Sequence, residues 1–178
     1  RQINILTIID HFSRFAQACE LVTLTSQEIW EHFYIEWISI LGAPTYLLSD
    51  NATVFKSKEL QEHLAEFGIK GIHSFPYHPE GNGVIESFHQ YFKKALVSSL
   101  RLSTRPIKVI LADILMAYRA TPHVSTGESP YHLLTGLDMT LPGLQDWSTE
   151  EAMPTQESRA AQLKEMRNAA FEQAARKA

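Results

Sequence analysis

The first half of the chain alternates between apolar runs and polar turns, a pattern that predicts strands followed by a helix. Ile3–Ile9 is β-branched and nearly continuous, which is typical of a buried strand, and Phe15–Leu21 predicts a second strand paired with it as a hairpin. Thr25 offers a helix N-cap with an acid, Glu28, three residues later. The strongly aromatic helix that follows is expected to end at Gly42.

Beyond the aromatic helix, the pattern predicts two short strands and then mainly helices. Two short strands, Tyr46–Leu48 (expected to be buried) and Lys70–Phe75, flank a helix over Ser57–Phe67. A turn over Tyr77–Gly83 precedes a long helix from Val84, and three more helices are predicted over Pro106–Tyr118, Pro130–Gly136 and Gln156–Ala178. This order predicts an α/β fold with a mixed central sheet flanked by helices. We expect a core domain over residues 1–145, then a linker and C-terminal helix over 146–178.

Composition narrows the possible partners and chemistry. The 178 residues carry a formal net charge of −4, so any nucleic-acid contact must come from a local basic patch. A single cysteine excludes a disulfide framework and a cysteine-rich zinc site. No apolar run is long enough to span a membrane, and no signal peptide is visible. The abrupt start at Arg1 is typical of an excised fragment.

Two acids are the strongest chemical signal. Asp50 follows the Tyr46–Leu48 strand, and Glu86 lies where the Pro/Gly turn runs into a helix. Carboxylates that converge from a strand end and a helix start can hold hard divalent cations, and two such cations are suited to in-line phosphoryl transfer. The structural alternatives are an Asx turn at Asp50 and a first-turn helix acid at Glu86.

Five segments in the same order resemble the cores of the D,D-35-E integrases of retroviruses and gypsy-type retrotransposons. Residues 51–85 give the 35-residue spacing between Asp50 and Glu86. The matching segments cover nearly the whole chain: Ile5–Phe15, Gly42–Phe55, Tyr77–Phe88, Tyr118–His123 and Ser129–Gly136.

The resemblance implies an RNase H-like fold in which Asp50 and Glu86 are catalytic and bind Mg²⁺ or Mn²⁺. It also implies 3′-processing and strand transfer of element DNA into target DNA, in the nucleus. The family's first catalytic aspartate lies on the strand before the one that matches Ile3–Ile9, so it either precedes Arg1 or has been lost. We therefore expect Asp10 to form a turn, and the chain as given to be inactive, with metal bound weakly or not at all.

Two other functions stay open. A domesticated, catalytically dead integrase-like domain that serves as a protein-interaction or dimerisation module would account for the missing acid, the low basicity and the aromatic helix. An unrelated RNase H-like nuclease would account for the two acids but not for the ordered flanking segments.

Further residues are candidates for contact with DNA or with a second copy. In the family the turn before Glu86 closes over DNA, and one helix face beyond Glu86 could meet phosphates, with plain turn chemistry or a solvated face as the alternative. These DNA-binding candidates are Tyr77, Asn82, His89, Lys93 and Lys94. An apolar stripe on the aromatic helix, expected to be exposed in a monomer, predicts a homodimer interface at Trp30, Tyr34 and Trp37.

Overall fold

The computed structural model describes residues 3–73, 79–143 and 156–177. The chain divides into two compact units, Arg1–Ile8 with Gln17–Ala112, and Ile9–Ala16 with Asp113–Ala178. The described strands are β1 (Asn4–Ile9), β2 (Ala16–Leu21), β3 (Tyr46–Ser49) and β4 (Lys70–His73). The described helices are α1 (Ser26–Phe33), α2 (Ser39–Leu41), α3 (Lys58–Glu66), α4 (Pro79–Leu102), α5 (Ile107–Ala120), α6 (Pro130–Thr135) and α7 (Gln156–Lys177). The domain boundary at residue 145 stays a prediction.

The described strands form two pairs, where the sequence predicts one mixed sheet. β1 pairs with β2, and the short connection over residues 10–15 allows only an antiparallel arrangement. β3 and β4 are parallel, in a register that sets Tyr46 opposite Lys70 and Ser49 opposite His73. The expectation that Tyr46–Leu48 is buried is wrong: Tyr46 is 58% exposed and Leu48 is 43% exposed.

The connection from β2 to α1 is held by the predicted N-cap at Thr25, while the Glu28 carboxylate reaches past Thr25 to earlier backbone amides. The Thr25 hydroxyl accepts a hydrogen bond from the Glu28 amide at 3.3 Å. The Glu28 carboxylate in turn accepts the backbone amides of Val22 and Thr23, each at 2.7 Å, and these bonds and the Thr23 hydroxyl lower the pKa of Glu28. Beyond Phe33 the predicted helix widens into a π-helical segment, Tyr34–Ile38, before α2. The helix start is thus fixed as its sequence indicates.

The aromatic face of α1 and of the π-helical segment after it is largely buried inside the first unit, which corrects the expectation that Trp30 and Trp37 are exposed in a monomer. Trp30 is 9% exposed and Trp37 is 7% exposed. The His63 ring of α3 stacks on Trp30 at 5.0 Å between centroids, and Phe67, just after α3, packs edge-on at 5.1 Å. α3 therefore supplies cover for this face, and Tyr34, at 43% exposure, is the member of the predicted dimer stripe that remains accessible.

α4 begins earlier than the sequence indicates, at Pro79 instead of Val84. A proline suits the first helical position, because its missing amide would have no intrahelical partner there. Phe88 and Phe92, one turn apart, are buried. The earlier start moves Glu86 out of the first turn, so the macrodipole, whose effect fades within that turn, no longer accounts for an acid at this position.

In the second unit an arginine holds the start of β2. The Arg119 guanidinium donates two hydrogen bonds, at 3.0 and 2.8 Å, to the backbone oxygen of Ala16. It also lies over the Phe15 ring, 4.5 Å from its centroid. A second arginine, Arg167 of α7, donates to the last carbonyls of α6, where Gly136 ends the helix with a φ of 73°. No helix within the described ranges is long and apolar enough to cross a membrane.

We expect Arg119→Lys to lower the free energy of unfolding by about 1–3 kcal/mol, because lysine keeps the charge but loses the planar two-bond fork and the stacking on Phe15. Chemical denaturation measures this change. The matched control is Arg176→Lys in α7, whose guanidinium is exposed and lies 3.9 Å from Glu172. Equal stability of the two variants would show that the Arg119 contacts contribute nothing.

Candidate functional site

The candidate site starts at the ends of β3 and β4. The Ser49 hydroxyl and His73 Nδ1 lie 3.0 Å apart, joining the last residues of the two parallel strands. Asp50 is the next residue along the chain, and its side chain is exposed. Parallel strands that end together place the residues that follow them at one sheet edge, where ligands commonly bind in α/β proteins.

Asp50 forms the Asx turn that the sequence offers as its structural role. Its Oδ1 accepts a hydrogen bond from the Ala52 amide at 3.0 Å. One hydrogen bond to one oxygen leaves capacity for a cation, because an ionised carboxylate has about four lone-pair sites. The turn therefore orients the carboxylate and is compatible with a ligand role.

His89 is the group that connects Asp50 with Glu86. Burial lowers the pKa of His89, and the carboxylates of Asp50 and Glu86 both oppose that shift. Both acids therefore act on the same imidazole, although one follows β3 and the other lies on α4. Glu86 is exposed and precedes His89 by about one helical turn. The net effect is a His89 pKa below the ordinary value, because burial outweighs the two carboxylates.

Thr7 is a site residue that the sequence analysis missed. Its Oγ1 lies 2.7 Å from His89 Nε2, a hydrogen bond that ties β1 to α4. The signal available in the sequence was a lone hydroxyl inside the apolar run Ile3–Ile9. Because Glu86 lies one turn before His89 on α4, this contact also helps to fix the position of Glu86 relative to β1.

The donor set suits a hydrated hard cation. No group of three or more His, Cys, Asp or Glu side chains that could hold a metal occurs among the residues that the structure describes. Two exposed carboxylates are nevertheless a suitable set for Mg²⁺, which usually keeps several waters and takes one or two protein carboxylates. Asp50 and Glu86 could therefore hold such an ion weakly.

Asp10 forms a turn, as expected from the sequence. Its Oδ2 accepts hydrogen bonds from both the backbone amide and the hydroxyl of Ser13, each at 2.7 Å. Its backbone amide donates to the Phe15 oxygen at 2.8 Å, and Arg14 takes a left-handed φ of 64° to complete the turn. The carboxylate is thus engaged in holding an uncommon backbone conformation.

The structure describes the side chains of only some of the remaining DNA-binding candidates. Tyr77 lies outside the described residues, and the side chain of Asn82, in the first turn of α4, does too. Lys93 and Lys94 are exposed on α4 beyond Glu86. Their contact with DNA stays a prediction.

Cysteine chemistry has no part in this site. The single cysteine, Cys19, lies on β2 and is buried. Burial raises its pKa to about 12, so the thiol stays protonated at neutral pH and is a poor nucleophile.

The contact of Thr7 with His89 is open to a direct test. We expect Thr7→Val to release the imidazole and to speed hydrogen exchange at the α4 amides near Glu86, while Thr7→Ser keeps the hydroxyl and behaves as the unsubstituted chain. The expected loss of stability is about 0.5–1 kcal/mol, the net value of one hydrogen bond at a partly exposed position. NMR of the His89 ring nitrogens reports the bond itself. Identical ring signals in the Val and Ser variants would contradict it.

Comparison with known proteins finds similar sequences and similar structures. Residues 1–79 match the family model of the integrase core domain. The Pro-Pol polyprotein of feline foamy virus is 28% identical over 157 residues, which is 85% of this chain and 13% of that protein. The Gag-Pol polyprotein of avian reticuloendotheliosis virus is 28% identical over 134 residues, 75% of this chain and 12% of that protein. The chain thus spans about an eighth of these relatives.

Solved structures match over most of the chain. The integrase catalytic core domain of HTLV-2, solved in complex with magnesium, superposes with a TM-score of 0.63 at 22% identity, covering 73% of this chain and 83% of that one. The simian T-cell lymphotropic virus intasome, solved in complex with the PP2A regulatory subunit B56 gamma, gives a TM-score of 0.67 at 20% identity, covering 86% and 54%. The predicted resemblance and the predicted RNase H-like fold are confirmed. Residues 1–79 are similar to the integrase core domain family, and the chain has the fold of retroviral integrase catalytic cores.

Proposed function

We propose that this chain is the catalytic core of an integrase that carries out metal-dependent 3′-processing and strand transfer of DNA in the nucleus. The proposal rests on a fold of the integrase core type in which Asp50 directly follows β3 and Glu86 lies on α4, one turn before the His89 that Thr7 of β1 contacts. The substrates would be the ends of the element and its target DNA.

Asp50 and Glu86 would hold Mg²⁺ or Mn²⁺, which supplies charge neutralisation and activates the attacking oxygen when bound. The Asx turn at Asp50 fixes the direction of one carboxylate, and the bond between Thr7 and His89 fixes the helix that carries the other. Lys93 and Lys94, two turns past Glu86, would meet the phosphates that flank the reacting bond.

Two carboxylates hold a cation only weakly, and the resemblance assigns a third acid to a strand that is not within residues 1–178. We therefore propose that this chain by itself is inactive and that an added strand bearing an aspartate would complete the site. The acid-lined turn at Asp10 does not substitute, because its carboxylate is committed to Ser13.

We expect the 178-residue chain to join no DNA in Mg²⁺ or Mn²⁺, and a chain lengthened at its N-terminus by a strand that bears an aspartate to do so. In the lengthened chain, Asp50→Asn or Glu86→Gln should lower the strand-transfer rate about a hundredfold or more, because a metal contributes several kcal/mol to the transition state. A strand-transfer assay on labelled duplex DNA measures this.

Asp10→Asn is the control for that experiment and should keep the activity of the lengthened chain. If the 178-residue chain alone transferred strands and Asp10→Asn abolished the reaction, Asp10 would be a metal ligand and its assignment to the turn would be wrong.

A dimerisation module is the second candidate, because an aromatic patch stays exposed on the first unit. Tyr34 packs on Phe67 at 5.8 Å between ring centroids, and the two rings are 43% and 42% exposed. Ile35 beside them is 58% exposed. Such a patch fits a self-complementary two-fold contact, which would bury Tyr34 of each copy. Dimerisation is compatible with either proposed function.

We expect light scattering at micromolar concentration to give about twice the 20.2 kDa mass of the chain. Tyr34→Lys should give the monomer mass, because it places a like charge at the centre of the contact. Val22→Lys, at a side chain that is 87% exposed elsewhere in the unit, is the matched control and should leave the dimer intact. A monomer without any substitution would rule out this proposal.

A further inference from the structure

The last three turns of α4 carry a shallow depression beyond the candidate site. Its lining comes entirely from one helix: Lys93, Lys94, Val97, Ser98, Arg101 and Leu102. Its surface is mostly apolar, although three of the lining residues are cations. The surface thus combines an apolar contact area with positive charge.

The apolar side chains of this surface are unusually accessible. Leu102 is 85% exposed and Val97 is 43% exposed. Leu100, on the same stretch of helix, is 42% exposed. α4 is anchored by the buried Phe88 and Phe92 nearer its start, while Val97 and Leu102 remain exposed. An exposed apolar group flanked by charge is typical of an interaction site.

The charges of the lining residues have one sign. Lys93, Lys94 and Arg101 contribute three cations, and the lining includes no carboxylate. A second copy docked on this surface by a two-fold axis would bring these cations against themselves, which disfavours a self-complementary contact. The surface therefore favours a partner that is acidic and that also has an apolar side chain to bury.

We propose that this α4 surface binds an acidic amphipathic peptide segment of a partner protein, with one large apolar side chain between Val97 and Leu102 and carboxylates on Lys94 and Arg101. Nucleic acid uses the cations but has no use for the apolar part of the surface. A membrane surface would need a wider apolar face, typically with aromatic residues, than Val97 and Leu102 provide. A helix or extended segment laid into an apolar depression matches both features.

The test is fluorescence anisotropy with a labelled 14-residue peptide that carries one row of leucines flanked by glutamates, in EDTA. We expect saturable binding that weakens with salt. Lys94→Glu with Arg101→Glu should weaken it at least about tenfold, since two favourable charge pairs become unfavourable. Leu102→Ser should weaken it about fivefold or more, because an apolar contact is lost. The control is Lys58→Glu, an exposed lysine on α3 that pairs with Glu62.

Three outcomes would overturn the proposal. One is equal binding of a peptide with the same composition in scrambled order. Another is an unchanged affinity in Leu102→Ser, which would leave charge as the sole attraction. The third is binding of a 14-nucleotide DNA but not of the peptide, which would assign the surface to nucleic acid. Because EDTA removes divalent metal, the result does not depend on whether the chain transfers DNA strands.

Discussion

Parallel pairing of β3 with β4 is the constraint on which the candidate site depends. The two strands are joined through α3, and a parallel pair requires such a crossover. In this register Ser49 and His73, the last residues of the two strands, lie opposite each other. The hydrogen bond between their side chains fixes the sheet edge at which the chain leaves β3 at Asp50. A slip of one residue would turn the Asp50 segment to the other face of the pair.

The second acid reaches this edge through a helix that is anchored elsewhere. α4 buries Phe88 and Phe92, and Thr7 of β1 holds His89 between those two aromatic positions. Burial fixes which face of the helix is turned inward, while the hydrogen bond fixes its height above β1. The position of Glu86 depends on both the burial and the hydrogen bond, because an exposed carboxylate is not held in place by packing.

Local signals in the sequence identified the parts of this structure that depend on neighbours in the chain. The N-cap at Thr25, the turn at Asp10 and the glycine stop at Gly136 each involve groups within a few residues, so their residue types determine them. Asp50 belongs to the same class, because its Asx turn is local.

Such local patterns could not predict contacts between residues that are far apart in the sequence. An aromatic stripe has the same sequence pattern whether a second copy or another helix of the same chain covers it. The pattern alone therefore could not predict that His63 and Phe67 cover Trp30. The bond between Thr7 and His89 joins residues 82 positions apart, and only the tertiary fold shows it. The start of α4 was missed because two glycines outweighed Pro79 in the pattern, although tertiary packing routinely overrides such local preferences.

The net charge of the whole chain does not show how charged residues are distributed along α4. The net charge of −4 argues against a general attraction to nucleic acid, yet residues 83–102 of this helix carry three cations and one carboxylate. Glu86 and Arg101 are separated by about 22 Å at 1.5 Å per residue, which is more than two Debye lengths at physiological salt. The acid end and the basic end can therefore serve different ligands without cancelling each other. Lys93 and Lys94 lie between the two ends, and Lys94 belongs to both proposed contacts, so phosphates bound near Glu86 and a peptide bound near Leu102 would compete for Lys94.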